Sequence, residues 1–323
     1  MGKTHLNKGR LMLTVFLTVG VIVGADSVRR NFTEYDNKLT VNGDFPSSSA
    51  EAAANANAER ASALANPTEA QTAPDLSYVG FTQLDVPSAQ LSSGLISLID
   101  STHPAVVSEN SSGLIKLADA KNEFYSIRYE GMEITSDAAY ALNTMMQDYN
   151  AATGLSDFVV SCTSDESAGS SAQCPSFYPE SVLGNTVDLA VQGMNGLLAY
   201  DGRDEESWII DNCKPYGFIV RYPSGKEAST GQSGCVWHLR YVGTLFAAVM
   251  RDNNLCLEEF HNWIKSYTIN TAPYEYNLNG IIYQIYYAPS MGDTTQVRVP
   301  VSGRYTISGN NTDGFVITAV KQS

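Results

Sequence analysis

Positive charge is scarce in this sequence. Lysine and arginine number 20 against 34 aspartate and glutamate residues, and the formal net charge is −14 at pH 7. Nucleic-acid phosphates would be repelled by such a chain, which excludes nucleic acid as a partner class. An acidic balance of this kind is typical of a soluble protein. Hydrophobic residues make up 43% of the chain, so a substantial core can form.

The apolar run near the N-terminus is short. Residues 11–25 are fifteen apolar or small residues without charge, whereas a bilayer crossing needs about 20. Three basic residues, Lys3, Lys8 and Arg10, precede the run, as in an export signal. Residues 23–25, Val-Gly-Ala before Asp26, offer a cleavage site. The segment therefore predicts an extracytoplasmic, cell-envelope location, with cleaved signal peptide and uncleaved membrane anchor both open.

Cysteine is limited to five residues. In an oxidising compartment an odd number indicates up to two disulfides and one remaining thiol. Cys162 and Cys174 are the simplest pair, because they bracket a loop of serine, glycine and alanine. The pairing of the other three, Cys213, Cys235 and Cys256, is open.

Aromatic residues are nearly absent from residues 47–74, which are rich in Ala, Ser, Asn and Glu. Such a composition buries too little apolar area to offset the entropy lost on ordering. We therefore expect a disordered tether over residues 26–90. A folded domain over 91–270 and a small β-strand module over 271–323 would follow it.

Hydrophobic periodicity in the folded part predicts a mixed α+β fold. Apolar residues at intervals of three and four predict a helix that begins at Thr135 or Ser136 and ends at Gly154. Further helices are expected at 204–213, 244–250 and 257–267. Strands are expected at 94–100, 124–130, 157–162, 216–223 and 236–243. Five short β runs after residue 272, two of them joined by Asn279-Gly280, predict a C-terminal β-meander.

Three blocks carry a family resemblance: GNTVDLAV (184–191), YGFIVRYPSGKEASTG (216–231) and VWHLRYVG (236–243). In order and spacing they resemble the zinc D-alanyl-D-alanine carboxypeptidases of the VanY type, over roughly residues 90–265. The resemblance implies an antiparallel sheet with flanking helices. It also implies a zinc ion held by two histidines and an aspartate, with one position left for water. A glutamate serves as general base, and an upstream arginine would bind the substrate carboxylate.

Placed on that pattern, the chain keeps only part of the site. Asp188 falls on the aspartate ligand and His238 on the second histidine, but the first histidine position is Ser181. The general-base position is Cys235, and the upstream element becomes residues 161–165, which contain no arginine. The resemblance thus implies a vestigial Asp188–His238 pair with zinc weakly bound or absent.

Other residues near the pattern have more modest expected roles. By the same resemblance, Trp237, Arg240 and Ser181 line the cleft. No histidine lies between His103 and His238 that could supply the missing ligand. His103 is expected on the surface, and His261 in a structural role on its helix.

Cys235 has two interpretations. A thiolate binds zinc, so an Asp-His-Cys metal site is one hypothesis. The other is a disulfide with Cys213 or Cys256.

Three functions follow as hypotheses. The first is a catalytically inactive, exported carboxypeptidase-like domain that binds peptidoglycan stem peptides or an envelope protein. The second is an active zinc D,D-carboxypeptidase with a rearranged metal site. In the third, the C-terminal β-meander is the working part and the other domain is a scaffold. Membrane contact is expected only through residues 11–25, if they are uncleaved.

Overall fold

The computed structural model describes residues 80–106, 113–162 and 179–321. These residues belong to the second of two compact units, residues 70–323. The predicted export segment, most of the predicted tether and Cys174 lie outside the described residues. Within the described ranges, no helix combines the length and apolar character needed to cross a membrane.

The described residues form a mixed α+β structure, which confirms the predicted fold class. The strands are β1 Phe81–Pro87, β2 Leu114–Lys116, β3 Ser126–Ile127, β4 Glu133–Thr135, β5 Phe158–Cys162, β6 Thr186–Gly193, β7 Gly196–Ala199, β8 Phe218–Tyr222, β9 Cys235–Tyr241, β10 Tyr274–Leu278, β11 Ile281–Pro289, β12 Thr294–Pro300, β13 Tyr305–Gly309 and β14 Gly314–Val320. The α-helices are α1 Leu117–Ala120, α2 Ser136–Thr153, α3 Ser207–Asn212, α4 Glu227–Thr230, α5 Thr244–Asp252 and α6 Leu257–Ile264. Short 3₁₀ helices lie at Ser88–Ser92, Pro179–Leu183, Asp204–Glu206 and Lys214–Tyr216.

The central sheet has the order β3-β5-β6-β9-β8, with β7 also paired to β6. All of its pairings are antiparallel except β3 with β5. Strands β6 and β9 lie side by side, and Asp188 is the register partner of His238. The sheet therefore brings together two residues that are 50 positions apart in the sequence.

Helix α2 has the predicted boundaries. The Thr135 side chain accepts a hydrogen bond from the Ala138 backbone N–H, and Gly154 ends the helix in the left-handed conformation at φ 78°. Its apolar positions, including Leu142 and Met145, are buried. Local signals sufficed here because the caps and the apolar stripe all lie within the helix itself.

The C-terminal strands do not form the predicted meander. Their sheet order is β10-β11-β14-β13, and β12 instead pairs with β1 along its whole length. Residues 81–90, predicted as part of the tether, are therefore a strand and the start of a 3₁₀ helix. Val86 of β1 packs with Val297 and Val299 of β12, and this buried contact orders the segment. The predicted hairpin at Asn279-Gly280 is confirmed, with φ values of 53° and 89° that suit a type I′ turn.

Residues 94–100, predicted as a strand, are not part of any sheet, and residues 96–99 among them are buried. Buried backbone groups need hydrogen-bond partners, and side chains supply them here. Arg240 Nη2 donates to the carbonyls of Leu95 and Ser97, and the His261 ring nitrogen Nε2 lies 2.7 Å from the Ile96 oxygen. The predicted strand over 124–130 is likewise reduced to Ser126–Ile127.

The disulfide predicted between Cys235 and either Cys213 or Cys256 is not formed, because Cys213 and Cys256 are free thiols. Each of the two thiols lies at the end of a helix, Cys213 after α3 and Cys256 before α6. Cys213 donates to the Ile210 carbonyl, and Cys256 caps α6 together with Glu259. Cys162 is buried at the end of β5, and its pairing with Cys174 stays a prediction.

Gly94 is expected to be intolerant of a side chain. It has φ +123°, and an added Cβ would overlap Ser308 Oγ and lie 2.9 Å from the Ser308 Cα. We expect Gly94→Ala to lower the free energy of unfolding by about 2–4 kcal/mol, from overpacking and backbone strain together. Urea denaturation measures this.

The matched control for Gly94→Ala is Gly292→Ala. Gly292 also has a positive φ, +78°, but an added Cβ would meet no atom within 4 Å. It should lose only the strain component, about 1–2 kcal/mol. Equal losses in the two variants would contradict a close approach at Gly94.

Candidate functional site

The two residues on the metal-ligand positions contact each other directly. Asp188 of β6 and His238 of β9 are both buried, and Asp188 Oδ1 lies 2.5 Å from His238 Nδ1. Their pairing follows from the β6–β9 register. The structure thus brings together the pair that the resemblance predicts.

Glu180 occupies the other side of the imidazole. It projects from the 3₁₀ helix Pro179–Leu183 and is fully buried, with Oε1 3.0 Å from His238 Nε2. Both ring nitrogens therefore face carboxylate oxygens, an arrangement that needs the doubly protonated ring. Burial lowers the pKa of His238, but the carboxylates of Asp188 and Glu180 outweigh it and raise the pKa to about 9.

Two arginines of the central sheet complete the surroundings of Glu180. Arg221 Nε of β8 donates to Glu180 Oε2 at 3.0 Å, and Arg240 Nη1 of β9 donates to the same oxygen at 2.5 Å. The Tyr222 hydroxyl donates to Oε1 at 3.3 Å. Burial raises the pKa of Glu180, but these cations and His238 outweigh it, so the pKa lies well below its usual range.

A third carboxylate balances the charge. Arg221 also binds Glu258 of α6 through two hydrogen bonds, of 3.1 and 2.7 Å. We call the following residues the Glu180 cluster: Glu180, Asp188, Arg221, His238, Arg240 and Glu258. At neutral pH its three carboxylates offset its three cations, so its net charge is zero. Buried ions are tolerated when each is paired in this way.

His261 contacts the backbone of segment 94–100. It is buried on α6 and binds the Ile96 carbonyl through Nε2. Burial lowers the pKa of His261 to about 4, and the nearby cations Arg221 and Arg240 add to this effect. His261 therefore accompanies the cluster as a neutral ring.

The remaining predicted residues are placed as follows. Ser181 is buried beside Glu180, and Cys235 is buried at the start of β9. Trp237 is half-buried, and its indole N–H is a buried donor with no partner among the described residues. Ser161 donates to the Asp188 carbonyl at 3.1 Å, and His103 contacts Asp100 at a turn.

These residues do not fit a catalytic zinc. Across residues 80–106, 113–162 and 179–321, no three His, Cys, Asp or Glu side chains are grouped so as to hold a metal ion. A ligand histidine must offer an unprotonated nitrogen, whereas both nitrogens of His238 face carboxylates. Arg221 and Arg240 would also repel a dication at this position.

Sequence reasoning missed Glu180, Arg221 and Glu258. Arg221 carried a usable signal, because an arginine inside the apolar strand FIVRY is almost never buried without an acidic partner. Glu180 precedes Ser181, which falls on the first-histidine position of the family pattern, but no motif residue coincides with Glu180 itself.

Comparisons with known proteins match this region and most of the chain. The family model described as VanY, D-alanyl-D-alanine carboxypeptidase, matches residues 173–244. A D-alanyl-D-alanine carboxypeptidase of Enterococcus faecium is 30% identical over 240 residues, 71% of this chain and 76% of the relative. A protein of the same name from Enterococcus faecalis is 39% identical over 83 residues, 26% of this chain and 30% of the relative.

Among solved structures, the D,D-dipeptidase VanXYg in complex with a D-Ala-D-Ala phosphinate analogue has a TM-score of 0.61 at 23% identity, covering 75% of this chain and 99% of that one. The fold is therefore that of the VanY and VanX carboxypeptidases and dipeptidases. By its similarity to the Enterococcus faecium enzyme, the chain belongs to the VanY-type D-alanyl-D-alanine carboxypeptidase family. The predicted resemblance is confirmed.

The Glu180 cluster should contribute to the stability of the fold. Arg240→Met leaves a buried carboxylate short of one cation and two carbonyls short of a donor. We expect a loss of about 3–5 kcal/mol in the free energy of unfolding, measured by urea denaturation. Arg203→Ala is the control, because Arg203 is exposed and pairs with Asp201 at 3.4 Å; such pairs contribute about 0–1 kcal/mol. Similar losses in both variants would contradict the assignment.

The buried His261 ring should make the stability of the protein depend on pH. Its pKa is about 4 in the folded state and about 6.5 in an unfolded chain. Between these values the unfolded state binds more protons, so stability is lost as the pH falls from 6.5 to 4, by up to about 1.4 kcal/mol per pH unit.

His261→Gln keeps a donor for the Ile96 carbonyl but does not titrate, so its stability should depend less on pH in this window. Denaturation at several pH values measures how the free energy of unfolding changes with pH. The control is His103→Gln, which should show the same dependence on pH as the unsubstituted protein. An unchanged slope in His261→Gln would contradict a buried neutral ring.

Proposed function

We propose that the protein is an extracytoplasmic member of its family that does not hydrolyse D-alanyl-D-alanine, and that it binds peptidoglycan stem peptides or an envelope partner. The extracytoplasmic location rests on the export signal predicted at residues 11–25. The peptide class rests on the relatives, which are named D-alanyl-D-alanine carboxypeptidases.

The observation that carries the loss of hydrolysis is the state of His238. Its two ring nitrogens are engaged by Asp188 and Glu180, so no lone pair is available for a metal. Zinc hydrolysis also needs an open position for water and a general base. On the pattern of the family resemblance, Ser181 and Cys235 fall on the first-ligand and general-base positions. Zinc binding to His238 Nε2 would have to displace Glu180 from that nitrogen.

Trp237 supports a binding role. Its buried indole N–H has no partner among residues the structure describes, and an unpaired buried donor costs about 1–3 kcal/mol. A peptide carbonyl would satisfy it. In this proposal Trp237 is the contact residue, while Arg240 keeps the cleft shape through Glu180.

The alternative is an active zinc D,D-carboxypeptidase with a rearranged site. It requires Glu180 to leave its two arginines, and none of the contacts described above favours that. The hypothesis that the C-terminal strands are the working part likewise stays a prediction. Strand β12 pairs with β1, so deletion of residues 272–323 would also unpair the start of the folded region and would not test that hypothesis cleanly.

Activity and metal content test the proposal together. Purified full-length protein supplied with zinc should release no more D-alanine from a pentapeptide ending in D-Ala-D-Ala than His238→Ala does. Metal analysis should find zinc well below one ion per chain, equally in Asp188→Ala. Turnover that His238→Ala abolishes, with stoichiometric zinc that Asp188→Ala loses, would establish the enzyme instead.

Peptide binding is tested separately by calorimetry with the same pentapeptide. Trp237→Phe keeps an aromatic ring, although a smaller one, and lacks the N–H, so it should bind about 5- to 30-fold more weakly, the equivalent of one hydrogen bond of about 1–2 kcal/mol. Equal affinities would exclude Trp237 as the contact, and absence of binding to either protein would refute the stem-peptide proposal.

A further inference from the structure

Glu180 is surrounded in the manner of a bound ligand. Its Oε1 accepts from His238 and Tyr222, and its Oε2 accepts from Arg221 and Arg240. All four donors belong to the neighbouring strands β8 and β9, whereas Glu180 belongs to the 3₁₀ helix Pro179–Leu183. The donors and the carboxylate thus come from different structural elements.

Each cationic donor has a second anchor that does not involve Glu180. Arg221 is bound by both oxygens of Glu258. Arg240 donates to two backbone carbonyls of segment 94–99. His238 is paired with Asp188. The cations are therefore positioned by the surrounding structure and not only by Glu180.

Tyr222 is fixed in a similar way. Its ring stacks on His238, with centroids 5.6 Å apart and an interplanar angle of 11°, and the Arg221 guanidinium lies 4.6 Å from its centroid. We therefore expect the four donors to keep their arrangement when the Glu180 side chain is removed.

We propose that Arg221, Tyr222, His238 and Arg240 form a carboxylate-binding site whose ligand is the chain's own Glu180. Without Glu180, the Arg221 and Arg240 guanidinium groups, the Tyr222 hydroxyl and the His238 ring still face the vacated, buried position. Such a site binds a small monocarboxylate in place of the missing side chain. This inference is independent of the proposed function, because it needs neither hydrolysis nor peptide binding.

Glu180→Ala with added acetate tests the inference. The atoms that this substitution removes, a methylene and a carboxylate, correspond to acetate. We expect Glu180→Ala to unfold about 10 °C lower than the unsubstituted protein, as for a broken buried ion pair. Acetate or formate at ten times its Kd should then raise the Tm by about 3–5 °C more than sodium chloride at the same ionic strength.

Two control variants separate the site from general salt effects. Glu180→Gln removes the charge but fills the space, so acetate should act on it no more than chloride does. Glu275→Ala removes an exposed carboxylate that binds Lys321 outside the Glu180 cluster and leaves Glu180 in place. It should likewise show no response specific to acetate, as should the unsubstituted protein.

A rise of Tm with acetate or formate that is restricted to Glu180→Ala supports the carboxylate-binding site. An equal effect of chloride, or an equal response of Glu275→Ala, overturns it. If Glu180→Ala does not fold in chloride, recovery of folded protein on refolding in acetate supports the site, and equal failure in both salts overturns it.

Discussion

The structure around the candidate site depends on one constraint, the burial of the Glu180 carboxylate. An isolated ionised carboxylate is very costly to bury, so everything adjacent to Glu180 must compensate for it. Strands β8 and β9 supply Arg221 and Arg240, and His238 supplies a third positive charge because Asp188 stabilises its protonated form. The 3₁₀ helix, the sheet and helix α6 are thereby joined through charges rather than through apolar contacts alone.

That constraint differs from the one that a catalytic zinc ion imposes on the residues around it. A catalytic zinc site joins its ligands and still leaves one position for water. In the Glu180 cluster both oxygens of the central carboxylate are occupied by donors from Arg221, Arg240, His238 and Tyr222. The cluster can link the same strands, but it leaves no position at its centre where a water molecule could bind and exchange. The Glu180 cluster therefore joins these strands through ion pairs and hydrogen bonds.

The sequence predicted the elements whose determinants are local. Helix α2 has its own cap at Thr135 and its own stop at Gly154, and the Asn279-Gly280 turn specifies its hairpin. Segment 94–100 was mistaken for a strand because its partners, such as Gly309 for Ser97, lie 212 residues away. The pairing of β1 with β12 was missed for the same reason. No local pattern encodes the identity of a distant partner.

The sequence predicted the Asp188–His238 pair of the site but not the carboxylate of Glu180 at its centre. The resemblance placed Asp188 and His238 together, and the structure does the same. It gave no role to Glu180, because a motif marks the positions where a ligand is expected and is silent about the residue beside them. Charge balance supplies what the motif lacks. Arg221, His238 and Arg240 are buried cations, and Asp188 and Glu258 neutralise two of them. A buried third cation requires a third carboxylate, and in this chain Glu180 supplies it from the neighbouring 3₁₀ helix.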